Sequence, residues 1–321
     1  MKSIFQAVAT LSCCFVVLID ITSPVVAQDA DPGAFQTPAL ILPKDGKGKK
    51  VWLLAATKDS IRYKETEQAT DFVDSRISDL QMIYLYDPRE YAAAMDLYQA
   101  RKYKEAKEKF SAVRERHKST QQLTNNHSTL AAFYEMECSR RLGDLDALAS
   151  ELQKFNKDSL VRETQLKQLE LYAVWDAVRS KNWEKVEDLL KPYAKAKLPG
   201  ELRVQVDYCH GYALEGLKKP KEALMAYQGV LNSDSCASDD LAMATVVRIL
   251  TIFKEDADVQ AAIKTWGMPK EDKNSKGYQD LLEAASLVHM YEFLIGATTP
   301  LPTELKALGK YKPAPVQTPA G

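Results

Sequence analysis

This chain of 321 residues lacks an excess of charge of either sign, since it contains 43 basic and 44 acidic residues. Proteins dedicated to nucleic acids usually concentrate a basic excess on one face, so this balance argues against a nucleic-acid partner. Cysteine is scarce as well, and none of the five cysteines forms a CxxC pair. The sequence therefore predicts neither a disulfide scaffold nor a zinc site, and we expect no cofactor and no metal.

Long hydrophobic runs are also absent, apart from a short apolar segment over residues 4–19. It is followed by Val25-Val26-Ala27, the kind of small residues that a signal peptidase reads. We predict that residues 1–27 are a secretory signal peptide. An uncleaved anchor is the alternative, although a membrane span needs roughly 20 apolar residues. The mature chain is therefore expected to be exported, periplasmic or extracellular, without stable membrane insertion.

Removal of the signal peptide leaves three cysteines, Cys138, Cys209 and Cys236. An odd number of thiols cannot all pair within one chain. We expect buried single thiols, because cysteine is among the residue types most often found fully buried. A bridge between Cys209 and Cys236 is the alternative in an oxidising compartment.

Signatures of common catalytic sites are missing from the sequence. It contains no GxSxG, no P-loop and no GxGxxG, and its four histidines do not fall at spacings that place two metal ligands on one helix face. Carboxylates such as those in residues 105–109 alternate with lysines, as is typical of solvated helix faces. We therefore expect a non-enzymatic protein. An enzyme with an unrecognised site remains the alternative.

Changes in composition divide the chain into segments. Residues 28–49 are rich in proline, glycine and lysine and are predicted to be a flexible linker. Residues 50–86 contain short apolar runs and period-two alternation, which predict a small β subdomain, a meander of three or four strands. Residues 299–321 are proline-rich and predicted to be a disordered tail with one turn at residues 303–308.

Between residues 87 and 298 a helix-pair pattern recurs. In its two clearest copies a small residue is followed twelve positions later by another, and an aromatic residue follows four positions after that. Two antiparallel helices approach closely only where a side chain is small, and we expect the aromatic ring to fill the gap between one pair and the next. These triplets are Ala94, Ala106 and Phe110, and Gly211, Ala223 and Tyr227. The second-helix positions continue as Ala106, Leu148, Val186, Ala223 and Ala262.

This pattern resembles the tetratricopeptide repeat (TPR) and, with the signal peptide, bacterial exported TPR-containing proteins. The resemblance implies a mainly α fold, an α-solenoid of about five TPR-like helix pairs plus a capping helix at residues 277–296, preceded by the β meander. Successive copies lie further apart than the standard unit of about 34 residues, so we expect longer turns between pairs. A solenoid of this kind presents a surface to a partner rather than performing a reaction.

The resemblance also implies which residues face a partner, because in TPR proteins the first helix of each pair supplies the concave surface. Tyr, Trp and Arg side chains often carry interface energy, and three of the arginines are hard to explain as core residues. They suggest a partner with carboxylates, such as a chain terminus or an acidic segment. The alternative is that many of the aromatics pack against the neighbouring pair. Carried onto the matching copies, the register predicts Tyr91, Met95, Tyr98, Phe133, Arg140, Arg141, Leu171, Trp175, Arg179, Gln205, Tyr208 and Tyr212.

From these features we expect an exported scaffold that holds a protein or peptide partner in its concave groove, in envelope assembly or secretion. The alternative is a glycan- or cell-wall-binding module, since grooves lined with aromatic rings also stack on sugar faces. The pattern leaves the oligomeric state open.

Overall fold

The computed structural model describes residues 35–233, 238–294 and 299–312. Within these ranges the chain is mainly helical, with a small antiparallel sheet at its amino-terminal side. The predicted signal peptide, Cys236 and residues 313–321 lie outside the described residues. The strands are β1 (Thr37–Pro43), β2 (Lys49–Ala56), β3 (Ser60–Lys64), β4 (Val73–Arg76) and β5 (Leu80–Leu85).

The five strands form one sheet in the order β4-β3-β2-β1-β5, and every neighbouring pair is antiparallel. Strands β1 to β4 follow one another as a meander, while β5 returns to pair with β1. Alternate side chains point to one face and form a small core, which is completed by Leu123 from the helical part of the chain. Its strand residues are Ala39, Ile41, Val51, Leu53, Ile61 and Tyr63.

Strand β1 corrects the predicted boundary of the sheet. It lies inside the segment predicted to be a linker, yet it pairs with β2 on one side and β5 on the other. Pro38 and Pro43 indicated a loop, but both stand near the ends of the strand, where a missing N–H is tolerated. Between them, Ala39 and Ile41 are fully buried, and this burial fixes the strand in the sheet.

Twelve α-helices follow along the described residues, and consecutive helices from α1 to α11 pack against one another. Within the same ranges, none of them combines the length and the apolar character that a bilayer span requires. Their bounds are α1 (Arg89–Gln99), α2 (Tyr103–Arg116), α3 (His127–Arg141), α4 (Leu145–Lys154), α5 (Glu163–Arg179), α6 (Trp183–Leu190), α7 (Gly200–Gly216), α8 (Pro220–Asn232), α9 (Asp239–Glu255), α10 (Ala257–Thr265), α11 (Lys276–Leu294) and α12 (Thr303–Lys306).

The predicted second-helix positions are all buried, one in each of α2, α4, α6, α8 and α10. The reason for small residues is clearest at Gly211 in α7, where an added Cβ would lie 2.5 Å from the ring of Tyr227 in α8. Tyr227 is fully buried and has no room to move away. In this copy the small residue and the aromatic residue are in close contact within the pair α7–α8.

The first four helix pairs are joined by the same turn. In each, the second residue after the carboxyl end of the first helix has a left-handed backbone, and the N–H of the next residue donates a hydrogen bond to a carbonyl five residues earlier. Between α1 and α2, for example, Lys102 N donates to Leu97 O over 2.9 Å. The left-handed residues are Arg101, Gly143, Lys181 and Lys218, with φ of 62°, 71°, 54° and 62°. The α9–α10 connection differs, because Asp256 serves there as the N-cap of α10.

The segment after α11 corrects the prediction of a disordered tail. The expected turn is present as α12 and a 3-10 helix over Ala307–Lys310, and the segment packs on α9 and α11. The ring of Tyr311 lies 5.3 Å from that of Trp266. The prolines indicated disorder, but apolar residues between them share one face. These buried residues are Leu301, Leu305, Leu308 and Tyr311.

Candidate functional site

The structure places the twelve predicted partner-binding residues in three environments. Arg179 is exposed. Five are partly buried, namely Tyr91, Met95, Tyr98, Arg141 and Tyr212. Six are buried, namely Phe133, Arg140, Leu171, Trp175, Gln205 and Tyr208.

Arg140 and Arg141 contact carboxylates of this chain rather than an open surface. Arg140 is fully buried on α3 and donates to both carboxylate oxygens of Glu137, over 3.1 and 2.8 Å. Arg141 pairs with Glu201 and, over 2.6 Å, with Asp240. We had expected the two guanidinium groups to bind a partner's carboxylate, but in this structure both bind carboxylates of the chain itself.

Glu137 is the centre of this buried charge cluster. Tyr172 donates its hydroxyl to Glu137 over 2.6 Å, and Tyr98 donates to the second carboxylate oxygen over 3.4 Å. Burial by itself would raise the pKa of Glu137, but the charge of Arg140 and the hydrogen bonds from Arg140 and Tyr172 bring it below its usual range. Glu137 is therefore ionised, and its carboxylate oxygens accept hydrogen bonds from neighbouring helices of the same chain.

The same cluster joins helices that are far apart in sequence. Asp239 and Asp240, in the first turn of α9, pair with Arg101 and Arg141. These contacts bring the fifth helix pair against the first two. The side of the array on which we expected a long open groove is therefore partly filled by the chain's own side chains.

Trp175 and Tyr208 link α5 to α7. Their rings lie 5.9 Å apart at an angle of 29°, and the indole N–H of Trp175 donates to Gln205 over 2.9 Å. Gln205 also exchanges two amide hydrogen bonds with Gln168, over 2.9 and 2.8 Å. In this structure these side chains make contacts between helix pairs, which is the packing alternative considered for the aromatics.

Arg179 lies outside the buried cluster. It donates to Asp176 over 2.9 Å on its own helix and to Asp146 over 3.1 Å on α4. Both hydrogen bonds raise the pKa of an already permanent cation. Arg179 thus links the second and third helix pairs at the surface.

A cleft of about 250 Å³ remains open beside the cluster, between α1, α3, α5 and the start of α7. Aromatic and apolar side chains form most of its wall, and three side chains of α5 add hydroxyl and amide groups. Only Tyr98 and Phe133 were predicted from the sequence to lie on such a surface. Its lining residues are Tyr98, Phe133, Tyr134, Glu137, Thr164, Gln165, Gln168, Pro199, Glu201 and Leu202. We call this site the first-helix cleft.

Sequence reasoning missed the contribution of α5 because the repeat register placed its contacts at Leu171, Trp175 and Arg179. The cleft instead uses the first turns of that helix, at Gln165 and Gln168. A signal was present, since two glutamines with helical spacing on an otherwise apolar helix face are unusual for a core. Both glutamines are buried.

Gln165 has the property expected of a binding residue. It is 5 % exposed, and its side-chain oxygen has no hydrogen-bond partner among the described residues. A buried acceptor without a donor costs about 1–3 kcal/mol. A guest that donates an N–H or O–H to Gln165 would recover this free energy, so the cleft favours a ligand with a donor at that point.

The described residues offer little to covalent or metal chemistry. No group of three or more His, Cys, Asp or Glu side chains in these ranges could hold a metal ion. Burial raises the pKa of the Cys138 thiol to about 12, and that of Cys209 further still. Both cysteines are buried free thiols, poorly suited to act as nucleophiles.

Comparison of the chain with models of protein families, with curated proteins and with solved structures finds no match. The roles of the residues around the first-helix cleft are therefore inferred from their contacts, burial and charge.

Proposed function

We propose that the protein is an exported, non-enzymatic TPR-like scaffold that binds a segment of a protein partner in the first-helix cleft. The arrangement of the helices supports the TPR-like part of this proposal. Besides the contacts between consecutive helices, α1 packs on α3, α5 on α7 and α7 on α9. Stacked helix pairs in a solenoid make these two sets of contacts. The turn shared by four pairs adds a structural repeat to the sequence repeat.

The chemistry of the cleft supports a peptide as the guest. Its walls carry the aromatic rings of Phe133 and Tyr134 together with Leu202, which suit an apolar side chain. Gln165 supplies an acceptor of the kind that a backbone N–H satisfies. This unpaired acceptor in an apolar cleft is the observation that carries the proposal.

The charge of the cleft favours a neutral or weakly basic segment. Glu137 and Glu201 both line it, and Arg140 and Arg141 are already paired with them. An acidic segment would therefore add negative charge beside two guanidinium groups that already bind carboxylates of this chain. The partner's segment proposed here therefore differs from the acidic one expected from the sequence.

Crosslinking in cells tests the proposal. A photo-crosslinking amino acid at Thr164, an exposed residue that lines the cleft, is expected to capture a partner protein at a defined segment. The matched control carries the same group at Met225 on α8, which is 73 % exposed and lies outside the cleft. Equal capture from both positions would contradict the proposal. Recovery of polysaccharide alone from Thr164 would favour the glycan alternative for this site.

The captured segment, made as a peptide, then allows a direct affinity measurement. Gln165→Leu removes the acceptor with little change in volume, and we expect the Kd to rise about tenfold, in line with the cost of losing one buried hydrogen bond. Titration calorimetry with the wild-type chain and this variant makes the comparison. An unchanged Kd would show that Gln165 does not contact the peptide.

A further inference from the structure

A second groove, larger than the first-helix cleft, lies between α2, α3 and α4. Its volume is about 760 Å³, within the range of about 300–1,000 Å³ typical of small-molecule sites. It uses Ser128, Ala132 and Glu135 of α3, whereas the first-helix cleft uses Phe133 and Glu137. At 3.6 residues per turn these two sets lie on opposite faces of α3. We call this second site the α2–α4 groove.

Glu135 lies at the floor of the α2–α4 groove. It is 4 % exposed, and one carboxylate oxygen lies 3.3 Å from Arg114. The other oxygen has no hydrogen-bond partner among the described residues. Burial raises the pKa of Glu135 to about 7, an effect that the positive charge of Arg114 reduces and that nearby Glu151 increases. The groove therefore ends on a buried oxygen that a ligand donor can satisfy.

The walls of the groove mix charges of both signs with neutral polar groups. Arg114, Lys118 and Lys154 are hydrogen-bond donors in this wall, and Glu115 and Glu151 are acceptors. A strongly anionic or strongly cationic ligand would therefore meet like charges on one wall. Such a surface suits a ligand without net charge that carries donors and acceptors side by side.

Neutral polar side chains and one ring complete the lining. Gln121, Gln122 and Asn156 each provide both an amide donor and an amide acceptor, and Phe155 provides a partly buried aromatic ring. Sugar hydroxyls act as donor and acceptor at once, and the C–H face of a sugar ring packs on an aromatic ring. A peptide would have few apolar pockets for its side chains here, in contrast to the first-helix cleft.

We infer that the α2–α4 groove is a binding site for a neutral oligosaccharide, with Glu135 accepting a hydrogen bond from a sugar hydroxyl. The site is separate from the peptide cleft and does not depend on it. Glu151 of α4, which lines the groove, pairs with Lys107 of α2 over 2.9 Å. This ion pair links the helices that form two of the groove's walls.

Ligand-observed NMR with the full chain tests this inference. The probes are chitotetraose, cellotetraose and maltotetraose, with tetragalacturonate as an anionic control. At least one neutral probe is expected to show saturation transfer and a Kd in the millimolar range or tighter, and tetragalacturonate is not. Absence of binding by all three neutral probes overturns the inference, and so does binding of tetragalacturonate alone.

Two variants locate the binding site. Glu135→Met removes the acceptor while keeping side-chain length, and Asn156→Ala removes a wall amide; each is expected to raise the Kd, the first at least tenfold. Glu283→Met, which changes an exposed carboxylate on α11 outside both sites, is the matched control and should leave oligosaccharide binding unchanged. Circular dichroism and melting temperature verify that each variant folds. Unchanged affinity in both groove variants overturns the assignment, and this result would leave the peptide proposal intact.

Discussion

His117 and His127 lie 5.6 Å apart, ring to ring, at the junction of the sheet with the first helices. His117 faces Thr37 of β1 at 3.3 Å and Glu90 of α1 at 3.5 Å, and Asp87 lies 3.0 Å from His127. Both rings are buried, so a second positive charge here would be poorly solvated. The sequence showed only isolated histidines, and the fold alone brings them together.

Acid is therefore expected to destabilise the protein through His117. Burial is the largest cause that lowers its pKa, followed by His127, and Glu90 opposes both. Because the folded state favours the neutral ring, the unfolded chain binds more protons as the pH falls through about 6.5, and stability drops in that window. His117→Gln should flatten the dependence of the free energy of unfolding on pH between 7 and 5.5.

Urea unfolding of the wild type and the variant at several pH values measures this slope. His289→Gln is the control, since His289 lies at a different place, against Gly309 of the 3-10 helix. A wild-type slope that survives His117→Gln would contradict the assignment.

At the scale of elements, the helix pairs are held by two local devices. Small residues allow close crossing, as at Gly211, and the shared left-handed turn reverses the chain between first and second helix. Only one of the four left-handed positions is a glycine, although a left-handed backbone costs a residue with a Cβ roughly 1–2 kcal/mol. The other three positions therefore carry a conformational cost that the packing of the pairs offsets.

Lys218→Gly is accordingly expected to stabilise the protein by roughly 0.5–1 kcal/mol, because relief of backbone strain exceeds the added entropy of glycine in the unfolded chain. Gly143→Ala, the matched reverse change, should destabilise it by about 1 kcal/mol. No atom lies within 4 Å of a Cβ added at Gly143, so a steric clash would not confuse the result. Chemical denaturation measures both; a loss of stability in Lys218→Gly would contradict the strain argument.

At the scale of the whole molecule, the buried charge cluster around Glu137 decides how the helix pairs come together. It collects side chains from α1, α3, α5, α7 and α9, and so ties the first pair to the fifth. A buried ion pair adds little net stability by itself. We expect its effect to be on specificity, since another arrangement of the pairs would separate these charged partners and leave them buried.

Arg140→Met is expected to cost about 3–5 kcal/mol at neutral pH, because it leaves Glu137 charged, buried and without its main partner. The double variant with Glu137→Met should recover much of this loss, since neither charge then remains. A double-mutant cycle in urea gives the coupling free energy. Arg179→Met is the surface control and should leave stability nearly unchanged. A cost as small as that of the control would show that the cluster does not organise the fold.

The sequence predicted the helical part well and the ends of the fold poorly. Positions such as Ala106 and Ala223 follow from the local spacing that close helix crossing imposes, and all of them are buried. Strand β1 was missed because it pairs with β5, which lies at the other end of the chain segment that forms the sheet, and proline content alone does not report such a contact. Eight of the ten residues that line the first-helix cleft were missed for a related reason, as a shift of one or two helical turns changes which residues face it.

The spacing of apolar residues and the sizes of side chains along the chain were enough to predict a mainly helical protein with a small sheet before the helices. These patterns report on residues that are close in sequence or that recur at a fixed interval. The tertiary structure alone decided that Arg140 and Arg141 pair with carboxylates of this chain, that Gln165 and Glu135 each keep an oxygen without a partner among the described residues, and that the first-helix cleft and the α2–α4 groove lie on separate faces of α3. Such outcomes depend on which charges and volumes meet across distant helices, and no local pattern records them.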